Sequence, residues 1–266
     1  MGDLQNADYR RVMSASPPPL SAVLITLNAE AQLAACLSSL SFCAEIVVVD
    51  SGSSDATAAI ARAHGARVIE AHWRGFGAQK DFAVSQASHD WVLCVDADER
   101  VSAELRAAIL GALRSPRFGA YRFRRCNRFL GRYLRHGEGY PDWSLRLFDR
   151  RQARWSEDAV HEKVVASCPA GELSGDLLHD SAETLEHYLD KQNRYTTLAA
   201  QQAIASGRRA HAAQLLLSPL LRFLKFYLLR LGALDGVPGL VHILIGCANS
   251  FGKYAKMLDL QRRQGK

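Results

Sequence analysis

The chain has 266 residues, 48% of them hydrophobic, and a formal net charge of +6. That size and apolar content suit one large α/β domain with an appendage and a sizeable core. Six scattered cysteines without a CxxC pair exclude a zinc site or a disulfide framework and read as reduced thiols of a cytosolic protein.

The charge is uneven. Residues 190–266 hold 12 Lys/Arg against three Asp/Glu, a net +9, while residues 1–189 hold 21 against 24, a net −3. A basic, apolar tail on a mildly acidic body faces something anionic, either membrane lipid or nucleic acid.

Residues 1–19 lack the apolar core of a signal peptide and read as a disordered lead-in ending at Pro17-Pro18-Pro19. Ser21–Leu27 is a short apolar strand, and Glu30–Leu40 has helical spacing at Leu33, Leu37 and Leu40. The β-branched run Glu45–Val49 ends in Asp50-Ser-Gly-Ser-Ser-Asp55, whose Ser53, Ser54 and Asp55 are good starters for an alanine-rich helix. Ala66–Glu70 is a third strand. The glycine-bearing loop Trp73–Gly77 leads into a helix near Ala78–Ser88. Trp91–Val95 is a fourth strand ending at Asp96, and Ser102 caps a further helix to about Leu113.

Strands that are apolar throughout are buried on both faces, the mark of a sheet covered by helices. The β-α-β-α-β order therefore predicts a Rossmann-like, doubly wound, mostly parallel α/β sheet over residues 20–181. Ligands of such sheets bind at the carboxyl ends of the strands, where Asn28, Asp50 and Asp96 stand.

The middle, Phe118–Asp180, is irregular and rich in Arg and aromatics. Residues 182–266 form a helical region, including Leu185–Ala205. Its two apolar runs, Leu215–Leu231 and Leu240–Phe251, flank a turn-rich break and are interrupted or followed by Arg222, Lys225, Arg230, Lys253 and Lys256. Neither reaches the roughly 20 clean apolar residues of a bilayer span. Such helices lie in a membrane surface, or alternatively pack into a core or a homo-oligomer.

Asp96 and Asp98, at i and i+2 beyond a strand, can point into one site, and their hard oxygens suit Mg²⁺ or Mn²⁺ completed by phosphate. Asp50 can accept hydrogen bonds from a base or ribose, or alternatively cap its own turn. Lys80 can pair with a diphosphate, or be an ordinary surface lysine.

Thr26-Leu-Asn-Ala-Glu30, Val49–Asp55, Gly75-Phe-Gly-Ala-Gln-Lys80 and Trp91–Glu99 together resemble the family 2 glycosyltransferases, which have the GT-A fold. Tyr140–Phe148, Val160-His-Glu-Lys163 and Phe223…Tyr227…Leu234-Asp-Gly236…Lys253-Tyr-Ala-Lys256 resemble the WaaE-type lipopolysaccharide-core glucosyltransferase branch. The resemblance implies that Thr26, Asn28 and Glu30 border the nucleotide, that Asp50 holds the base, that Asp96 lies near ribose and metal, and that Asp98 is the main metal ligand. It implies an inverting displacement with a carboxylate base. Glu162 is the first candidate for that base, Asp158 the second and Asp142 the third. His161 is a further metal ligand, orients the base, or is structural.

Arg124, Arg125, Arg128 and Arg132 either grip a phosphorylated, lipid-linked acceptor or form a solvated basic strand, and Trp143 and Arg146 are further acceptor candidates. The resemblance also implies a UDP-sugar donor, an inner-core heptose acceptor, transfer of one sugar per encounter, and a place on the cytoplasmic face of the membrane. A polyprenyl-phosphate sugar transferase of the same fold is the alternative enzyme. A non-catalytic membrane or nucleic-acid binder is the alternative from another class. Nucleic acid is disfavoured, because no nucleic-acid motif accompanies the Arg and aromatic residues.

Overall fold

The structure, a computed structural model, describes residues 19–156, 162–181 and 184–264. The predicted lead-in therefore lies, apart from Pro19, outside the described residues. The chain forms two compact units. One runs to Arg125 and resumes over Asp142–His179; the other combines Cys126–Pro141 with Asp180 onward.

The first unit opens with β1 (Leu20–Thr26), α1 (Glu30–Ser39), β2 (Glu45–Asp50), α2 (Thr57–Ala63), β3 (Arg67–Glu70), α3 (Phe76–Ser85) and β4 (Trp91–Cys94). These strands pair in parallel in the order β3-β2-β1-β4. β1, β2 and β4 are buried from both sides, and β3 is the edge strand. Ala22 and Leu24 of β1 enter one apolar cluster with Leu33 and Leu37 of α1, while Val23 enters another with Ala83 and Val84 of α3. A run without polar alternation is what that geometry requires.

Beyond β4 come β5 (Glu99–Val101), α4 (Ala103–Arg114), β6 (Ala120–Phe129), β7 (Arg132–Tyr133), β8 (Asp142–Asp149), β9 (Ala153–Trp155), β10 (Val164–Ala166) and β11 (Ala170–His179). Ser102 caps α4, as its sequence signals, by accepting from the Leu105 N–H at 3.2 Å. The Arg-rich middle supplies strands that extend the sheet to β3-β2-β1-β4-β8-β6-β11-β5, with β7 on β6. Here the pairing turns antiparallel, β8 against β4 and β6, and β11 against β5. The sheet is thus mixed: parallel where the sequence reads as β-α-β, antiparallel in the Arg-rich stretch, where Phe123 and Leu147 carry the buried face.

In the second unit, α5 (Leu185–Ala205) is capped by Thr184, whose Oγ1 accepts from the His187 N–H. α6 (Gln214–Phe223) passes into a π-helical stretch, Leu224–Leu229, then a 3-10 turn, Gly232–Asp235, and α7 (Gly236–Gln264). Buried Asp235 accepts from the N–H groups of Arg135 and His136 at 3.0 and 2.8 Å and meets His136 Nδ1 at 3.0 Å, tying Cys126–Pro141 to the helices. The turn-rich break expected near Gly232–Gly239 is this 3-10 turn feeding α7. Gly232–Gln264 is consequently one helical run long and apolar enough to cross a membrane, by length and composition. Ile243, Gly246, Cys247, Ser250 and Met257 of α7 are nonetheless buried, in packing against α5 and α6.

Candidate active site

A cavity of about 590 Å³ opens at the carboxyl ends of β1 and β4. Its walls include Thr26, Asn28, Gln32, Trp73, Phe76, Lys80, Asp96, Asp98, Glu162 and His179. The topology explains the convergence. β1 and β4 are adjacent and parallel, so the segments leaving them, Leu27–Ala29 and Asp96–Asp98, meet on one rim.

Asp96 is held tightly. Its N–H donates to a Glu99 carboxylate oxygen at 2.9 Å, and the Glu99 N–H donates back to the Asp96 carbonyl at 2.9 Å. Lys80 Nζ lies 3.1 Å from Asp96 Oδ1, and Arg146 Nη2 lies 3.0 Å from Oδ2. Lys80 and Arg146 both sit over the Trp155 ring, 4.6 and 5.2 Å from its centroid. Burial works to raise the Asp96 carboxyl, but Arg146 and then Lys80 outweigh it and hold the group well below the usual carboxylate range. For fully buried Glu99, burial prevails over the pull of Arg146, and its carboxyl lies above the ordinary value.

Asp98 and Glu162 complete the ring of charge. Asp98 Oδ2 lies 3.1 Å from His179 Nε2. Glu162 Oε1 lies 3.2 Å from Lys80 Nζ, so Lys80 bridges Glu162 and Asp96. Arg125 approaches Glu99 at 3.2 Å and the His179 ring at 3.0 Å. Four acidic side chains (Asp96, Asp98, Glu99, Glu162) thus stand together with the cations Lys80, Arg125 and Arg146 and with His179.

This donor set fits a divalent ion that shares its coordination with a ligand. Among the described residues no group of three His, Cys, Asp or Glu side chains could by itself hold a metal ion. Mg²⁺ and Mn²⁺ usually take one or two carboxylates and complete their shell with water and phosphate. Asp98 and Asp96 are the residues that could hold one, with His179 fixing Asp98 at 3.1 Å.

The loops beneath the rim are knitted together. Asp50, 2% exposed, accepts from Thr26 Oγ1, the Gly52 and Ser53 N–H groups, and Ser53 Oγ at 2.6–3.1 Å, four bonds for its two oxygens. Its carboxylate organises the β1–α1 and β2–α2 loops and is not part of the cavity wall. Asn28, at φ 50°, accepts from the Ser54 N–H, and Glu30 accepts from the Ala56 N–H. Gly75, at φ 93°, turns the chain into α3, and a Cβ on Gly77 would fall 2.3 Å from the Ser156 carbonyl oxygen. Only glycine lets α3 approach that closely.

Of the residues proposed from sequence, Thr26, Asn28, Lys80, Asp96, Asp98 and Glu162 come together at the cavity. Glu30 and Asp50 serve the loops behind it. Asp158 and His161 lie outside the described residues. Asp142 begins β8, opposite Arg125, and does not line the cavity. The acceptor candidates separate. Arg146 and Arg125 belong to the carboxylate cluster, Arg124 pairs with Asp176 at 3.3 Å, and Arg128 pairs with Asp180 at 2.9 Å. Trp143 is exposed, with the Arg122 guanidinium 5.2 Å from its ring centroid.

Sequence reasoning missed His179 and Glu99. The register Glu99↔His179 between β5 and β11 sets the histidine against the Asp96–Glu99 turn, and no local spacing encodes that. The six cysteines are free, as their spacing indicated, and burial pushes the Cys43 and Cys94 thiols up to about 12.

A mixed sheet, parallel through β3-β2-β1-β4 with a cavity beyond β1 and β4, together with the family match, makes the chain a glycosyltransferase of the GT-A type. The chain belongs to glycosyl transferase family 2, whose family model matches residues 21–167. It is 34% identical over 247 residues to the lipopolysaccharide core biosynthesis glycosyltransferase LpsC of Rhizobium meliloti (strain 1021), covering 90% of this chain and 92% of that one. It is 29% identical to an uncharacterized glycosyltransferase, RT0209, of Rickettsia typhi (strain ATCC VR-144 / Wilmington), covering 91% and 87%. Among solved structures, glucosyl-3-phosphoglycerate synthase from Mycobacterium tuberculosis, in complex with Mg²⁺ and UDP, aligns at 18% identity over 76% of this chain and 83% of that one. The TM-score of that alignment is 0.45.

Proposed function

We propose that the protein is an inverting, divalent-metal-dependent glycosyltransferase. It moves one sugar from a nucleotide-sugar donor, a UDP-hexose such as UDP-glucose, to a lipid-linked lipopolysaccharide inner-core acceptor at the cytoplasmic face of the membrane. The acceptor class is supported by the identity to LpsC along nine-tenths of the chain. The donor chemistry is supported by one observation above all: Asp98 and Asp96 stand on a cavity rim with Lys80 and Arg146 fixed on Asp96.

In this reading Asp98 and Asp96 would hold Mg²⁺ or Mn²⁺, with His179 positioning Asp98, and the ion when bound would supply Lewis-acid neutralisation of the departing diphosphate. Lys80 provides a fixed positive charge on the same wall and orients the donor phosphates. Glu162 is the base that takes the acceptor hydroxyl proton as the oxygen attacks the anomeric carbon. Its approach to Lys80 keeps the carboxylate aimed at the cavity. Trp73 and Phe76, an edge-to-face pair with centroids 4.8 Å apart, line the same cavity with apolar surface suited to a base or sugar ring.

The test is binding of a nucleoside diphosphate with and without Mn²⁺. Asp98→Ala is expected to erase the Mn²⁺-dependent gain in affinity, of about tenfold or more, while leaving metal-free binding in place. An unchanged metal dependence would remove Asp98 from the metal site.

A further inference from the structure

The segment from Leu215 to Val237 has a surface that the transfer chemistry does not use. Along α6 and the π-helical stretch that follows it no residue is buried. Leu216, Leu217, Leu220, Leu221, Leu224 and Leu228 recur at helical spacing, and all are exposed, Leu216 at 78%. Leu229 at 79%, Leu231, Leu234 and Val237 at 70% continue the apolar surface around the turn into α7. Soluble proteins seldom leave so continuous an apolar patch in water.

The other side of the segment is tied down within its own unit. Ser218 Oγ meets Ser250 Oγ at 2.6 Å, Cys247 donates to the Pro219 carbonyl at 3.3 Å, and Arg222 pairs with Glu138 through Nε at 3.0 Å. The Arg230 side chain donates to the Tyr140 carbonyl at 3.1 Å. The leucines are therefore presented by a fixed support and are not the loose face of an unpacked helix.

Charge selects the occupant. The basic residues of the segment are Arg222, Lys225 and Arg230, and its single acid, Asp235, is buried and engaged by His136. Lys225 and Arg230 are exposed among the leucines. A second copy of the chain would bring the same positive charges against these. An anionic bilayer surface would take the leucines into its acyl boundary and leave the cations at headgroup level.

We infer that Leu215–Val237 is a monotopic membrane wedge, entering one leaflet of an anionic phospholipid bilayer through Leu216, Leu220, Leu229, Leu234 and Val237, with Lys225 and Arg230 at the phosphates. α7 packs against α5 and α6 through one side, where Ile243, Gly246, Cys247, Ser250 and Met257 are buried. The inference rests on the reading above only in taking the enzyme to work at a membrane.

The test is flotation of the full-length protein, without sugar substrates, on phosphatidylcholine vesicles with and without phosphatidylglycerol. The expected result is binding that needs the anionic lipid, weakens with salt, and falls about tenfold or more in Leu216→Asp/Leu229→Asp. The circular dichroism and urea midpoint of that variant should match wild type, which separates loss of the wedge from loss of the fold. In an otherwise wild-type chain, the indole introduced by Leu229→Trp should be quenched by lipids brominated on their acyl chains. Equal flotation of the double aspartate variant, or fluorescence of the Leu229→Trp variant that is indifferent to brominated lipid, would overturn the wedge. So would a wild-type protein that ignores vesicles and forms a dimer that the aspartates dissociate. None of these outcomes depends on whether the donor and acceptor are correctly named, and donor binding can fail while flotation succeeds.

Discussion

Lys80 is the residue on which the proposed donor site turns. It is nearly buried, and its ammonium is shared between Asp96 and Glu162. A buried cation of this kind is retained only with anionic partners, since desolvation alone costs several kcal/mol. Lys80 thereby links the donor wall to the proposed base. Glu162→Gln keeps the shape and removes the charge. It is expected to lower kcat by about 10²-fold or more and to leave donor affinity within about threefold, because proton transfer typically contributes roughly 10²–10⁴-fold. Single-turnover kinetics with donor titration measure both. Unimpaired turnover would pass the role to Asp158 or Asp142. The Asp96/Asp98 pair could be found from its place after an apolar strand, but the identity of its neighbours could not. Arg146 and Arg125 read as acceptor-gripping arginines because an Arg-rich run shows its charge and hides its partners.

The elements are held in register by polar clamps as well as by their apolar faces. Glu45, at the start of β2, accepts from Ser21 of β1, from the Ser88 hydroxyl and N–H ahead of β4, and from Arg67 of β3. One carboxylate thus joins the four parallel strands at the end away from the cavity. Burial works to raise its pKa, but these hydrogen bonds bring it from 4.5 down to about 2. A depressed carboxylate stabilises the fold above its unfolded pKa, and that stability is lost as pH falls through the folded value. Glu45→Gln is expected to cost up to about 3 kcal/mol at neutral pH and to converge with wild type as pH falls from about 4.5 towards 2. Urea melts at several pH values measure this. A constant difference across that window would mean the clamp acts through shape and not charge.

For the molecule as a whole, ligand and fold are linked. A donor that binds only the folded chain stabilises it by about 2.7 kcal/mol when free ligand is about 100 times Kd. A UDP-sugar with Mn²⁺ should therefore raise the Tm of the full-length protein by several degrees, and EDTA should reverse the metal-dependent part. An unchanged Tm at saturating donor would count against the cavity as the nucleotide site.

The sequence by itself determined the parallel strands, the helix cap at Ser102, and the position of Asp96 and Asp98 at a strand end. Each is a local signal: apolar runs, a hydroxyl before a helix, a carboxylate after a β-strand. The family motifs also lie in that stretch. The tertiary structure decided what depends on pairing between distant residues. The antiparallel register sets His179 against Glu99, β8 carries Arg146 to Asp96, and Cys126–Pro141 folds with the C-terminal helices. Sequence spacing carries no information about such contacts, because they are fixed by which strand edges and helix faces remain to be covered once the local elements have formed.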